Sequence, residues 1–359
     1  MGSRTSIFLS WSSTQMPHGD MSDRPSRMVR LGPGAEFDRI RRAVAKGGEL
    51  PAAVRVGPGD DAAVLEGGWV LSTDLSVEDV HFHRSWLSAR EIGYRAASAA
   101  LSDLAAMAAT PVGLLVSVAV PEAIGEDMND DPGVDLDALH DGVREAAEAL
   151  GAVVLGGDLS RSPGPLMLDV TVVGRTLWPV LRNGAEPRDE LWVTGRLGAS
   201  AAAVRAWQQG EQPSPEARDA FARPVPRIRE ACCLVEQELV DALIDVSDGL
   251  AGDAGHIAAA SGVKIVLEAS RVPIAAAALA ALGSEAALDA ALYGGEDYEL
   301  LFAADPGTVD PEFFEQRFGL ELTCVGRVFE GEGVWLDAGD GEPRPVARAS
   351  FDHFRESGQ

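Results

Sequence analysis

Lysine is nearly absent from this 359-residue chain, which has only Lys46 and Lys264. Neither stands in a GxxxxGK[ST] pattern, so the usual phosphate-cradling loop with its lysine is excluded. Positive charge is scarce in general: 30 Lys plus Arg stand against 56 Asp plus Glu, a formal net charge of −26. Nucleic acid and anionic lipid bind mainly through neutralisation of their phosphates by Lys and Arg, so neither a nucleic acid nor a membrane is expected as a partner. Cysteine is limited to Cys232, Cys233 and Cys324. The odd number and the lack of CxxC spacing argue for reduced thiols, and the expected location is cytoplasmic. No HExxH or CxxC pattern offers a zinc site. No stretch approaches the roughly 20 apolar residues of a membrane span, and Ile7-Phe8-Leu9 is too short for a signal-peptide core.

What is present is enough for two domains, each able to bury a core. Residues 1–30 lack apolar periodicity and contain Met16, Met21 and Met28, which reads as a flexible N-terminal extension or an over-called start. Phe37, Ile40, Arg41 and Val44 have helical spacing, and Val54–Val56 leads into the acidic turn Gly57-Pro58-Gly59-Asp60-Asp61. A hairpin follows, whose second strand runs out at Thr73-Asp74. Residues 88–108 form a long Ala-rich helix carrying Asp103, and Val112–Val120 is a strand. A helix over 135–150, a strand Val153–Leu155 ending at Gly156-Gly157-Asp158, and a strand Leu166–Gly174 complete the first run. After a boundary near 175–188, strand Leu191–Thr194, helix 198–209, an exposed loop at Glu211–Pro215 and a helix over 226–238 are expected. Strand Ala242–Asp245, the turn Ser247-Asp248-Gly249, a helix to Ala260, and strands at Lys264–Glu268, Tyr298–Ala303, Cys324–Phe329 and Val334–Leu336 complete the second. Both halves mix α and β, giving an α/β domain over 34–175 and an α+β domain over 188–355.

One feature recurs: an Asp at the end of an element, beside Gly, Ser or Thr. It is seen at Asp60 and Asp61, Ser72-Thr73-Asp74, Ser102-Asp103, Gly157-Asp158 and Asp245-Val246-Ser247-Asp248. Any one of these is most simply a helix cap or a turn. Together in one cleft they would repel each other unless hard cations sat between them. Such oxygen donors suit Mg²⁺ or Mn²⁺, and metal-bridged phosphate binding is how an acidic protein without a P-loop lysine can hold a nucleotide. Gly57–Ala62 nominally satisfies the dinucleotide pattern GxGxxA, but two carboxylates inside the turn would repel a pyrophosphate. His81 alternates with apolar residues and reads either as a hydrogen-bonded core histidine, the commoner state, or as a ligand contact. Glu296 after two glycines is either a turn acid or a contact to a closely approaching ligand, and Arg182 is a loop guanidinium, most often simply solvated.

Taken in order, GPGDDAAVL (57–65), STD (72–74), VHFHRSW (80–86), LSDLAAMAATP (101–111), LGGDLSR (155–161), VTGRLGASAAA (193–203), IDVSDGL (244–250), GGEDYELLF (294–302) and FDHF (351–354) resemble the thiamine-monophosphate kinase family. The wider superfamily includes aminoimidazole ribonucleotide synthetase and selenophosphate synthetase. The resemblance implies a two-domain aminoimidazole-ribonucleotide-synthetase-like fold. In it, the N-terminal α/β domain forms a barrel-like sheet across a homodimer interface, and the active site lies between that domain and the C-terminal α+β domain. It implies ATP-dependent phosphorylation of thiamine monophosphate to thiamine diphosphate with release of ADP, by direct in-line transfer assisted by several Mg²⁺ ions. Carried over motif by motif, Asp61, Ser72, Thr73, Asp74, Asp103, Asp158, Asp245 and Asp248 correspond to metal ligands. Gly157, Asp158, Arg182 and Ser247 correspond to ATP contacts, and His81, Glu296 and Phe351 to contacts with thiamine monophosphate. His140 stands where the family can carry a Tyr, so no adenine contact is carried over to it. Two other readings fit the same blocks: a relative acting on another acceptor, and a non-catalytic nucleotide or thiamine-phosphate sensor.

Overall fold

The structure is a computed structural model and describes residues 28–32, 34–46, 48–121 and 133–346. Its first part comprises α1 (Ala35–Val44), β1 (Val54–Val56), β2 (Ala63–Leu65), β3 (Trp69–Val77), α2 (Ala89–Ala106), β4 (Thr110–Pro121), α3 (Leu136–Ala149), β5 (Val153–Ser162) and β6 (Met167–Arg175). The remainder comprises β7 (Glu190–Thr194), α4 (Ala199–Gln208), α5 (Pro215–Ala222), α6 (Ile228–Glu236), β8 (Ala242–Asp245), α7 (Leu250–Ser261), β9 (Lys264–Glu268), α8 (Ala276–Leu282), α9 (Ser284–Tyr293), β10 (Leu300–Ala304), α10 (Pro311–Phe318), β11 (Leu322–Phe329), β12 (Gly333–Asp337) and β13 (Arg344–Pro345).

The first six strands form one sheet in the order β1-β2-β3-β6-β4-β5. The barrel-like sheet expected from the resemblance is not found: β1 and β5 are the two edges and do not pair, so the sheet stays open. A closed barrel needs strand number, tilt and stagger to match, whereas here a three-residue β1 ends one side and helices pack on one face. Along β6, Leu168, Val170 and Val172 are buried while Asp169, Thr171 and Val173 are not, the period of two expected of a sheet covered on one side.

The covering element is α2. Ser88 and Glu91 close a capping box at its start. Its Ala-rich surface is buried almost all round, against the first sheet, α3, α6 and β8. Small side chains let backbones approach closely. A Cβ on Gly93 would lie 2.0 Å from the Leu139 carbonyl oxygen, and one on Gly142 only 1.8 Å from that of Arg90, so α2 and α3 touch backbone to backbone.

The second sheet has seven strands in the order β13-β12-β9-β11-β7-β10-β8, all antiparallel except the β12–β9 pair. Its β10 strand is buried throughout. Leu300 and Phe302 belong to the core shared with the first part, and Leu301 and Ala303 to a second core on the opposite face. Two local expectations differ. Gly156-Gly157-Asp158 lies inside β5 and Thr73-Asp74 inside β3 instead of at strand ends, whereas 211–214 form the expected loop before α5, where Ser214 caps Ala217 N–H and Pro215 opens the helix. The apolar run Ala276–Tyr293 is long enough to cross a membrane by length and composition, but Gly283 (φ 74°) divides it into α8 and α9, which pack against α4 and α7.

Adding a methyl group at the helix contact tests this packing. Gly142→Ala is expected to cost about 1–3 kcal/mol, the range for overpacking a tight core, read as a lower urea midpoint with unchanged slope.

Candidate active site

The turn between β1 and β2 is built to aim two carboxylates inward. Gly59 has φ 123°, and a Cβ there would lie 2.1 Å from the Val29 carbonyl oxygen. Asp60 accepts the N–H of Asp61 at 3.1 Å and the N–H of Arg182 at 3.2 Å. Asp61, its side chain 1% exposed, is gripped at both oxygens by the Arg182 guanidinium, at 2.6 and 2.9 Å.

Three further side chains arrive from other elements. Ser72 on β3 places its hydroxyl 2.5 Å from Asp103 Oδ2 and 3.0 Å from the Asp61 carbonyl oxygen. Asp103 stands in the last turn of α2, and beside it Ser102 donates to Asp245 Oδ2 at 2.6 Å, joining α2 to the end of β8. Carboxylate oxygens of Asp61, Asp103 and Asp245 thus lie within 4.8 Å of one another. Burial first, then the charges of Asp245 and Asp61, push Asp103 well above the usual carboxylate range. Burial and the Asp61 charge raise Asp245 to about 7. Asp60 is raised to about 7 by burial and Asp61. Asp74 is raised to about 6 by burial and Glu296. Hard oxygen donors, too many negative charges and a single guanidinium among them form a donor set that fits Mg²⁺ or Mn²⁺.

Not every residue singled out in the sequence joins this cluster. Adjacent strand residues point to opposite faces. Ser72 and Asp74 face α2, but Thr73 lies on the outer face, where its hydroxyl donates to Asp169 at 2.7 Å. Asp158 is exposed on edge strand β5, in register with Ser117, which is itself in register with Asp169, so it shares that outer face. Gly157 lets β5 close on β4, since a Cβ there would meet the Val116 carbonyl oxygen at 1.8 Å. His140 is exposed on α3 with Nδ1 2.8 Å from the Leu136 carbonyl oxygen, and Phe351 lies outside the described residues.

A second group was only half legible. Asp248 comes together with Asp253 and His256, whose ligand atoms also fall within 4.8 Å. Asp253 and His256 sit three residues apart on α7, a same-face helical spacing that could have identified them.

The third region surrounds Glu296. Gly295 must be glycine, because φ is 66° and a Cβ would lie 2.2 Å from the Ser247 carbonyl oxygen. Glu296 and Tyr298 themselves hold positive φ, 65° and 53°, and their N–H groups donate to Ser247 and Val246 at 2.8 Å. The GGED loop is thereby tied to the Asp245–Asp248 segment. Glu296 Oε2 receives Tyr298 O–H at 2.6 Å and forms an ion pair with Arg95 Nη2 at 2.5 Å. Arg95, from the buried face of α2, was not singled out by the sequence reading. His81 Nδ1 accepts the Val77 N–H at 3.0 Å, which leaves the proton of a neutral ring on Nε2.

Two family models match the chain: the AIR synthase related protein N-terminal domain over residues 59–176 and the C-terminal domain over 186–336. The thiamine-monophosphate kinase of Rhodopirellula baltica is 35% identical over 303 residues, covering 80% of this chain and 87% of that protein. The chain belongs to the thiamine-monophosphate kinase family. Among solved structures, AaThiL complexed with AMPPCP and TMP is 31% identical with a TM-score of 0.74, covering 89% of this chain and 97% of that one. Thiamine-monophosphate kinase from Stenotrophomonas maltophilia K279a is 35% identical with a TM-score of 0.68, covering 86% and 97%.

The raised carboxyls set a pH dependence for the cation-free protein. A carboxyl whose ordinary value is 3.8 but which is held at about 7 in the fold, as for Asp245, contributes stability below pH 3.8 that is lost as pH rises towards 7. With EDTA present, Tm is therefore expected to fall between pH 5 and about pH 7, and adding Mg²⁺ at the upper end should restore it; a Tm indifferent to Mg²⁺ would contradict the cation fit.

Proposed function

We propose that the cleft lined by Asp61, Asp74, Asp103, Asp245 and Asp248 is where this kinase aligns its two phosphate substrates. As a member of its family, the chain is an ATP-dependent kinase that phosphorylates thiamine monophosphate to thiamine diphosphate with release of ADP. The observation that carries the assignment of the cleft is the convergence of Asp61, Asp103 and Asp245 within 4.8 Å from three separate elements. Asp61, Asp74, Asp103, Asp245 and Asp248 would hold Mg²⁺, with Ser72 orienting Asp103 and Ser102 orienting Asp245. When bound, the cations supply the positive charge that offsets repulsion between nucleotide and acceptor phosphates.

The acceptor asks little else of the protein. A phosphate monoester has its second pKa near about 6 and is mostly dianionic at neutral pH, so its oxygen attacks without a general base. What the chain must do is position. Arg182 and Ser247 bracket the nucleotide side, while His81 and Glu296 hold the organic end of thiamine monophosphate, so that the acceptor oxygen lies in line with the γ-phosphorus. Transfer is direct, without a phosphoenzyme. Thr73 and Asp158 lie on the outer face of the first sheet and Gly157 packs against β4, and the part of all three in metal and ATP binding is proposed on the family motif alone.

We also propose that the protein is a homodimer that covers this outer face. Leu75 and Leu115 are 50% and 41% exposed there, and Leu155 and Leu159 on the β5 edge are 53% and 57% exposed. Light scattering should give twice the chain mass, and Leu115→Glu should reduce it to the monomer.

Coupled ADP release tests the activity and its site together. Turnover should require ATP, Mg²⁺ and thiamine monophosphate, fail with EDTA and fail with free thiamine. Asp103→Asn and Asp74→Asn should each lower kcat by orders of magnitude while circular dichroism stays unchanged. Normal turnover in both variants would remove the carboxylate cluster from the mechanism.

A further inference from the structure

Arg95 is the guanidinium that the mechanism above leaves unused. It projects from the middle of α2, is 4% exposed, and is held by three groups. Nη1 donates to the Phe221 carbonyl oxygen at the end of α5 at 2.6 Å. The guanidinium carbon lies 3.7 Å from the centre of the Phe221 ring, a cation–π contact in a desolvated setting. Nη2 is 2.5 Å from Glu296 Oε2, and Tyr298 O–H reaches that same oxygen. Burying an arginine is costly unless it is paired, and here the partners are the Phe221 carbonyl oxygen and the Glu296 carboxylate.

The consequence falls on the other carboxylate oxygen. Both contacts of the Glu296 carboxylate converge on Oε2, leaving Oε1 without a hydrogen-bond partner among the described residues, on a side chain 28% exposed. The loop carrying it holds positive φ at Glu296 and Tyr298, a conformation that costs energy and that Arg95 and the Ser247 and Val246 carbonyls hold in place. We infer that Arg95 is a positioning residue for acceptor recognition: it clamps one oxygen of Glu296 so that the other is preset, and negatively charged, for the cationic, amine-bearing rings of thiamine monophosphate. The inference rests on the reading of Glu296 as an acceptor contact.

Arginine, not lysine, suits this task because its planar fork serves Phe221 and Glu296 at once, whereas an ammonium can satisfy one of them well. The effect falls first on acceptor binding, since Arg95 makes no hydrogen bond to the Asp cluster or to Arg182 and reaches it only through its charge, which favours the ionised form of Asp74.

The test is a double-mutant cycle in the full-length enzyme with Mg²⁺, reading KM for thiamine monophosphate, KM for ATP and kcat for wild type, Arg95→Met, Glu296→Gln and the double variant. Arg95→Met should raise KM for thiamine monophosphate about tenfold or more, the loss expected for a charge-assisted contact, with KM for ATP and kcat within about twofold. In the Glu296→Gln background the same substitution should add little, because Arg95 acts through that carboxylate. Arg95→Lys, which keeps the charge and serves if the methionine variant does not fold, should lie between wild type and Arg95→Met. An unchanged KM for thiamine monophosphate in Glu296→Gln would overturn the acceptor-contact reading itself. A raised KM there, with Arg95 variants that have no effect or have the same effect in both backgrounds, would overturn only the role given to Arg95.

Discussion

Everything in this molecule is arranged around like charges forced together where they repel. Asp61, Asp103 and Asp245 come from a turn, a helix end and a strand end, and they meet where α2 links the two sheets. Asp103 is placed worst of all. It lies in the last turn of α2, where the unpaired carbonyls already present partial negative charge, and no basic residue in that turn offsets it. The guanidinium of Arg182 pairs directly with Asp61, and for the remaining carboxyls burial and mutual repulsion outweigh what Arg182, Arg95, Ser72 and Ser102 offer them. Raised pKa values at Asp60, Asp74, Asp103 and Asp245 are the physical expression of that shortage of positive charge.

Holding such a cluster requires a scaffold that brings backbones close without bulky intermediates. The Ala-rich α2 does so, touching the first sheet, α3, α6 and β8 at once. Glycines act at the closest points: Gly93 and Gly142 between helices, Gly157 between strands, and Gly295 against the Ser247 carbonyl. Each alanine buries little apolar area, so stability comes from the large cores on either side of the second sheet, which β10 divides residue by residue. The apolar bulk is thus spent away from the cleft, and the cleft itself is lined by small and polar groups.

Much of this was legible in the sequence, and what was not has identifiable causes. The period of two in β6 and the Ser88–Glu91 capping box are local signals, and α2 and β6 appear where they indicate. The recurrent Asp beside Gly, Ser or Thr marked the cleft. Reading such blocks as units hid the alternation within them: Ser72-Thr73-Asp74 is one motif in sequence but divides between two faces in the sheet. The open sheet was beyond a motif-level reading, because closure depends on which edges pair and not on which residues are present. Arg95 was invisible for a different reason. Its partners Phe221 and Glu296 lie 126 and 201 positions further along the chain, and nothing local distinguishes it from a surface arginine on an Ala-rich helix.

The two carboxylate systems of the cleft differ in how their charge is met, and that difference sorts the substrate. Glu296 has a fixed counterion supplied by the chain itself, with Arg95 and Tyr298 both engaging one oxygen. The Asp cluster is paired directly only with Arg182 among the described residues, with Arg95 acting on Asp74 through its charge, and is otherwise short of cations. A permanent ion pair leaves a preset carboxylate suited to a cationic organic ring. An uncompensated cluster is suited to divalent ions, which would supply the positive charge that attracts phosphates. On this reading the enzyme distinguishes the two ends of thiamine monophosphate by where it places its own arginines, with few lysines taking part. The proposed metal site would also account for how a protein of net charge −26 binds two anionic substrates: the attraction would reside in ions held by the cluster, and the chain's contribution is the repulsion that makes holding them favourable.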